Sequence, residues 1–484
     1  MDTDVLICGA GPTGLTLAIE LARRAIPFRL IEKGPSPFVG SRGKGLQPRT
    51  LEVFEQMGLV DRVLGTGGPY PSARSYAADG TFTETQFDER RPATPAEPYG
   101  QIAMLPQFLT EGLLRERLME LGHTVEFGAE IVHIQQSATE VKAKVRTKTG
   151  PRTIKARYLV GADGGKSFVR QALKVGFPGE SLGFQAIVAD LRLDGLDRDA
   201  WHRWGSGPGS HLALCPLAGT DLFQLQAAVP ADDEFELSQA HLQAMINART
   251  GRNDIVIRDV TWASAFRGSA RLADRYVNGR VILAGDAAHV HPPTGGQGLN
   301  TSVQDAWNLG WKLATVLKGG PDLLDTYETE RREVAAGMLG LSVKLLDAAR
   351  RDADMRRDRS TQQLDIGYPD GPLSLDLRQR GLSAGARAPD APCLGAAGQT
   401  TRVFQLLGPH WTLLVFESDA EIAPRPGLRV RRIGKDILDD GGHIAAAYDF
   451  EPGDLALIRP DGYVGALVTD PAQLDAYFRK VGLR

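Results

Sequence analysis

Short apolar runs that end in glycine recur at three distant places along the chain. Val5-Leu6-Ile7-Cys8 leads into Gly9-Ala10-Gly11-Pro12-Thr13-Gly14, and Tyr158-Leu159-Val160 leads into Gly161-Ala162-Asp163-Gly164. Val281-Ile282-Leu283-Ala284 leads into Gly285-Asp286-Ala287-Ala288-His289. Runs of this kind predict buried strands of a parallel sheet. After the first, Leu15, Leu17, Ala18, Leu21 and Ala22 recur at helical spacing, so a helix with one apolar face is predicted. A second strand, Phe28-Arg29-Leu30-Ile31, then ends at Glu32. After the third run, Val303, Ala306, Leu309 and Leu313 predict another such helix, and residues 323–351 continue as a long helical run. Between the second and third runs the pattern turns to alternation, at residues 184–193, 212–217 and 222–227. That predicts a sheet with one face on a core or a ligand. A Gly-, Pro- and Ala-rich break at 364–398 predicts a linker. The last hundred residues alternate strands and helices, with a hairpin turn predicted at Pro460-Asp461-Gly462.

The first glycine loop carries readable chemistry. Gly9 suits the tight turn out of the strand, Gly11 a close backbone approach to a pyrophosphate, and Gly14 close packing of the helix on the sheet. Pro12 and Thr13 open a helix whose free N–H groups and dipole favour phosphate. Glu32 lies about twenty residues beyond the glycines, where a carboxylate accepts from both hydroxyls of a ribose. A 2′-phosphate would be repelled there, so the loop suits FAD or NAD rather than NADP. Together with the Gly-Asp motif and its tail Pro292-Pro293-Thr294-Gly295-Gly296-Gln297-Gly298-Leu299-Asn300, the set points to FAD. Asp286, at a strand end, is placed to accept from a ribityl hydroxyl, and the helix starting near Leu299 and Asn300 offers free N–H groups.

These three motifs resemble the group A FAD-dependent aromatic monooxygenases over roughly residues 3–350. The stretch Ser41-Arg42-Gly43-Lys44-Gly45-Leu46-Gln47-Pro48-Arg49-Thr50-Leu51-Glu52 is similar to the members that tailor aromatic polyketides, rifamycin monooxygenases among them. The resemblance implies an α/β chain: a Rossmann-like FAD-binding domain of glutathione-reductase type, an inserted β-sheet substrate domain and a thioredoxin-like C-terminal domain. The implied division is 1–175 for the first part of the FAD domain, with a substrate-side excursion at 70–100. The sheet domain follows at 176–270, the second FAD part at 271–363, the linker at 364–398 and the C-terminal domain at 399–484. Cofactor contacts are implied for Gly9, Gly11, Pro12, Thr13, Gly14, Glu32, Lys33, Arg42, Gln107, Asp163, Asp286, Gly296, Gly298, Leu299 and Asn300. Arg267, just upstream of the Gly-Asp strand and able to pair with the flavin or a substrate phenolate, and Pro292 are the candidate catalytic residues, and Trp201, Trp204, His211, Phe223 and Trp262 are candidate substrate contacts. The activity implied is hydroxylation of a bulky aromatic through a flavin C4a-hydroperoxide, with non-covalent FAD, NADPH or NADH as transient co-substrate, and O2. Baeyer–Villiger insertion, a flavin reductase and a flavoprotein that holds a reactive intermediate remain as alternatives.

Composition narrows the field. At 484 residues, two or three domains are expected, and 42% hydrophobic with 24% charged residues is ordinary for a globular chain. A net charge of −3 without a basic run argues against nucleic acid as a partner, and no apolar stretch reaches membrane-spanning length. Met1 precedes the first strand almost directly, so no secretory leader is expected. Cys8, Cys215 and Cys393 are few, odd in number and far apart, which suits the cytoplasm. No Cys-x-x-Cys pair suggests a disulfide reductase, no His/Cys cluster has metal spacing, and no second glycine fingerprint suggests a resident nicotinamide. A monomer or homodimer acting on a small aromatic molecule is the expected assembly.

Overall fold

The computed structural model describes residues 1–86, 88–205, 209–230, 236–292, 294–350, 357–378 and 380–483. Pro293, in the glycine-rich tail, and Arg351, at the end of the long helical run, lie outside these described residues. The three apolar runs become neighbouring parallel strands. Val281–Leu283, Gly150–Gly161, Thr3–Cys8, Phe28–Glu32 and Val125–Phe127 lie side by side in that order. Their carboxyl ends therefore line up, and each motif begins where its strand stops. The backbone locks them together: Ala162 N donates to Cys8 O (2.8 Å), Gly9 N to Ile31 O (2.8 Å) and Ala284 N to Gly161 O (3.0 Å). Helix Pro12–Ala22 packs on this sheet, and helix Gly298–Leu317 packs on that helix. Their approach is close enough that a Cβ at Gly310 would lie 2.6 Å from Glu20 Cβ.

A second sheet of eight strands runs His289–Val290, Val256–Leu272, Gly179–Asp194, Phe223–Pro230, Leu212–Pro216, Ala200–Trp204, Ser72–Tyr76 and Phe82–Thr85. One face is a core of Ile187, Leu191, Leu212, Leu214, Phe223 and Leu225 under helix Gln239–Thr250. The alternate residues form an inner face turned toward the loop that follows strand Phe28–Glu32.

A third sheet, ordered Leu375–Asp376, Val464–Val468, Leu455–Ile458, Trp411–Phe416 and Leu428–Ile433, lies at the C-terminal end. The expected linker at 364–398 is packed structure rather than a loose tether. Leu364, Leu373, Ala388 and Ala391 are buried, Leu375–Asp376 joins the sheet, and Gly385 N donates to Val464 O (2.6 Å). Its glycines and prolines break helix and strand periodicity, while its alanines and leucines still find a core. The Pro-Asp-Gly hairpin turn forms, with Gly462 N donating to Arg459 O (3.0 Å). Turns normally lie at the surface, but this one is buried against helix Gly298–Leu317. Asp461 accepts from Trp311 Nε1 (2.9 Å), Asn308 Nδ2 (3.1 Å) and the Arg459 guanidinium, while its carbonyl accepts from Trp307 Nε1 (2.9 Å) and Arg49 Nη2 (3.0 Å). None of the described helices is long and apolar enough to cross a membrane.

Candidate active site

The glycine loop is built by contacts that only glycine permits. Gly9 has φ +105°, and a Cβ there would lie 2.3 Å from Ala162 O; a Cβ at Gly14 would lie 1.9 Å from Gly9 O. At Gly11, by contrast, a Cβ would meet nothing within 4 Å. Gly9 and Gly14 therefore serve the fold, and Gly11 faces open space at the start of helix Pro12–Ala22. That helix has no side-chain cap and no acid in its first turn, so its N–H groups are free for an anion. Thr13 lies beneath Gly285, whose Cβ would come within 2.4 Å of Thr13 Oγ1. Glu32 accepts from Ala10 N (3.0 Å) and Gly34 N (2.8 Å), which aims its carboxylate along the loop and leaves acceptor capacity on both oxygens. Lys33 is exposed beside it. An open cradle, an uncapped helix and an aimed carboxylate fit the pyrophosphate and ribose of FAD.

The Gly-Asp motif closes the cradle from the other side. Asp286 reaches solvent, yet the protein crowding it pushes its carboxyl pKa up, with His289 and Arg42 pulling it back. Behind it lies Asp305, which the sequence pattern left unmarked on a buried helix face. Its carboxylate accepts from Gly285 N (3.1 Å) and Arg331 Nε (2.8 Å) and lies 2.6 Å from His289 Nε2. Burial alone would raise its pKa, but His289 and Arg331 outweigh that and hold it below the ordinary carboxylate value. His289 Nδ1 lies 3.0 Å from His291 Nε2, and burial lowers the His291 pKa to about 3. The pair is thus a brace under the motif. Pro292 is buried next to it.

The middle motif turns inward. Asp163 accepts from Ser167 Oγ (2.5 Å) and Val169 N (3.1 Å), so both its oxygens serve its own loop. Ser167 caps the short helix, as its position predicts, by accepting from Arg170 N (3.0 Å). Arg170 ties the motif to its neighbour, donating to Ala287 O and Gly165 O at 2.8 Å each.

Arg42, Gln107, Gly298, Leu299 and Asn300 come together although they lie far apart in sequence. Gln107 accepts from Gly43 N (3.2 Å) and donates to Glu111 (2.8 Å). A Cβ at Gly43 would lie 3.1 Å from Leu299 Cδ1. Asn300 accepts from Gln47 N (2.8 Å) and donates to Gly45 O (3.0 Å) and Gly296 O (2.7 Å), so its side chain clamps one loop to the other. What remains of Gly298, Leu299 and Asn300 for a ligand is their backbone, at the uncapped start of the helix. Arg42 is exposed, its guanidinium over the rings of Phe38 (5.6 Å) and Trp262 (5.9 Å) and 3.5 Å from Ser264 Oγ.

The inner face of the second sheet stands opposite this loop and is ordered in rows across the strands. One row holds Cys215, Gln224, Asp190 and Trp262, with Trp201 beside Cys215. Loop residues cover it: Gly40 lies on Trp262, Ser41 Oγ donates to Asp190, and Lys44 Nζ donates to Gln224 (2.6 Å) over the Trp201 ring (4.1 Å). The next rows hold Ala213, Gln226, Val188 and Ser264, then Ala228, Ala186 and Phe266. These side chains are mostly small, and Gln226, Ser264, Ala228, Ala186 and Phe266 are half-buried, so the face opens into a trough beside Arg42.

Of the expected substrate contacts, only Trp201 and Trp262 belong to this inner face. Trp204 and Phe223 point into the core under helix Gln239–Thr250, because strand alternation sends them to the opposite side. Arg267 follows the same rule: it is exposed on the side of Ala263, away from Trp262, Ser264 and Phe266. His211 sits at the turn before strand Leu212–Pro216, with its carbonyl taken by Arg249 (2.7 Å).

Residues 2–342 match the family model described as FAD binding domain. The chain is 41% identical to a "Flavin-dependent monooxygenase" of Mycobacteroides abscessus over 491 residues, covering 99% of each chain. It is 34% identical to the 6-methylpretetramide 4-monooxygenase of Streptomyces rimosus, over 96% of this chain and 90% of that one. Its fold matches aklavinone-11 hydroxylase, solved with FAD and aklavinone, with a TM-score of 0.83 and 25% identity, covering 100% and 99% of the two chains. The chain belongs to the FAD-binding family of flavin-dependent aromatic monooxygenases.

Proposed function

We propose that this enzyme hydroxylates a bulky, electron-rich polycyclic phenol of polyketide type, using NADPH or NADH and O2. One observation carries the reading: the inner face of the second sheet presents the small, half-buried side chains of Ala186, Ala228 and Ser264, beside buried Val188 and Ala213. Small side chains in adjoining rows leave a flat surface suited to fused rings, and none of them is an arginine that would favour a small benzoate. The names of the relatives, a pretetramide monooxygenase and an aklavinone hydroxylase, support the same substrate class.

FAD, when bound, supplies the electron transfer from nicotinamide and the delivery of one oxygen atom to the ring. The chain's own residues bind and orient. The backbone at Gly11 and Thr13 and the Glu32 carboxylate hold pyrophosphate and ribose, Asp286 accepts from the ribityl chain, and the helix start at Gly298 to Asn300 favours negative charge nearby. Arg42, stacked on Phe38 and Trp262, closes one end of the trough. Packing of the loop on the sheet excludes water from the Asp190 side.

The further parts of the reading follow. We take 399–484 as a thioredoxin-like unit, supported by its parallel first pair, Trp411–Phe416 with Leu428–Ile433, followed by two antiparallel strands. Buried Cys393 has no cysteine partner, so the unit would be structural. Three free thiols support action in the cytoplasm, and we take the enzyme as a monomer or homodimer. The test is oxidation of NADPH and NADH by FAD-loaded enzyme with polycyclic phenols and with 4-hydroxybenzoate, with the product structure solved by NMR. Coupled hydroxylation favouring the polycycles is expected. Faster coupled turnover of 4-hydroxybenzoate refutes the substrate class, and an expanded lactone ring as product refutes the hydroxylation.

A further inference from the structure

Gln226 lies mid-trough, half-buried between Ala213 and Val188, neither of which offers a polar side-chain atom. Its Nε2 donates to Gln224 Oε1 (2.6 Å). Its own Oε1 accepts no hydrogen bond from a described residue. The orientation of that amide is not free. Lys44 is buried behind it and, as an ammonium, can only donate; it donates to the same Gln224 Oε1 (2.6 Å). At its other end Gln224 donates from Nε2 to Ser41 Oγ (2.7 Å) and to the Ser41 carbonyl, and Ser41 Oγ donates to Asp190. Gln224 is therefore held with its oxygen toward Lys44 and Gln226. Gln226 must answer with its NH2 group, and its oxygen is left as an acceptor turned toward the trough, with Ser264 Oγ further along the same row. A buried carboxylate in place of Lys44 would reverse every step and offer an NH2 instead.

We propose that Gln226 is a specificity-determining residue that reads a hydroxyl on the ring substrate, through an amide oxygen whose direction Lys44 sets. This rests on the reading of the trough as the ring-binding surface. The half-buried acceptor gains from a phenolic or enolic O–H and nothing from a keto or methoxy oxygen at the same place. Ser264, with Arg42 over it, stands two strands away, roughly 10 Å, so the hydroxyl read by Gln226 lies about a fused-ring width from the Arg42 end. Lys44 touches no ligand in this scheme and acts as a positioning residue.

The test titrates FAD-loaded wild type, Q226L and K44M with 2,6-dihydroxyanthraquinone and with 2,6-dimethoxyanthraquinone, following quenching of flavin fluorescence. Wild type should prefer the hydroxyl probe by about tenfold. In Q226L the preference should fall to within about twofold, with the affinity for the methoxy probe kept. K44M should narrow it as well, because Gln224 is then free to turn; loss of packing alone would weaken both probes equally. Q226L is the deciding variant, since its side chain reaches solvent and its FAD retention and Tm report folding. An unchanged preference in Q226L, or equal binding of the two probes by wild type, overturns the inference and leaves the polycyclic substrate class standing. Binding of neither probe by wild type overturns that substrate class and the inference with it.

Discussion

Asp286 and Asp190 are both strand-end or strand acids, yet their surroundings give them different work. Asp286 reaches solvent at the cradle's edge, so its carboxylate is available to a ribityl hydroxyl. Changing Asp286 to Ala should weaken FAD binding about tenfold, read by fluorescence titration of apoprotein, while the apoprotein Tm stays near wild type. Asp190 is buried, and its Oδ2 has no hydrogen-bond partner among the described residues. Burial pushes its pKa up to about 6, against the pull of Ser41 and Lys44. Its folded-state pKa thus exceeds the unfolded value of about 4. The folded state binds the proton more tightly, so Asp190's contribution is full below about pH 4 and is lost as pH rises through 6. D190N removes this titration. Its stability relative to wild type should rise between pH 4 and 7 by on the order of 2–3 kcal/mol and then level off. Urea midpoints across that range decide it, and a flat difference would mean Asp190 ionises at no cost.

At the scale of elements, the glycine loop separates folding from binding. Gly14 and Gly11 stand three residues apart, yet a Cβ at the first meets Gly9 O at 1.9 Å and at the second meets nothing within 4 Å. G14A should therefore lower the apoprotein Tm and lose FAD together. G11A should leave the apoprotein Tm unchanged and still raise the FAD dissociation constant at least tenfold, because its methyl group enters the cradle. Melting curves of the two apoproteins make the comparison. Equal Tm losses would show that Gly11 is also a packing residue. Helix Gly298–Leu317 couples the same levels: its start faces the cradle, its middle holds Asp305 under the Gly-Asp loop, and its later turns receive the Pro-Asp-Gly hairpin.

Across the whole molecule, that hairpin joins the C-terminal sheet to the flavin-binding part. Lys312 and Arg459 face Glu330 and Asp461 in a buried set of two cations and two carboxylates. Removing one partner leaves a buried charge uncompensated, so D461A should cost about 3–5 kcal/mol, seen as a fall in Tm and in urea midpoint. Substitution of Cys393 by Ser should leave turnover unchanged, because the thiol is buried without a partner and burial raises its pKa to about 11. A large activity loss in that variant would point to a redox role for the C-terminal sheet. The ion set was not readable from sequence. Arg459 and Glu330 are 129 positions apart, and charged residues at such distance look like ordinary surface until the chain is folded.

The sequence by itself determined the flavin cradle. Each of its parts is local: an apolar strand, a glycine whose φ or close approach admits no side chain, a helix start, an acid at a strand end. Adjacent parallel strands then bring the three motifs to one edge without further instruction. Tertiary structure alone decided which face of the second sheet turns toward the loop after strand Phe28–Glu32 and which fills a core. Trp262 and Arg267 sit five residues apart on one strand and end on opposite sides, and Trp204 and Phe223 fill a core that composition could not distinguish from a pocket. It also decided that the glycine- and proline-rich stretch at 364–398 packs, and that Lys44 and Asp305, unmarked in their own motifs, orient groups brought near from far along the chain. The physical reason is one of range. Backbone geometry and periodicity act over a few residues and can be read in order, whereas register and buried polar pairing depend on partners that the linear chain does not place together.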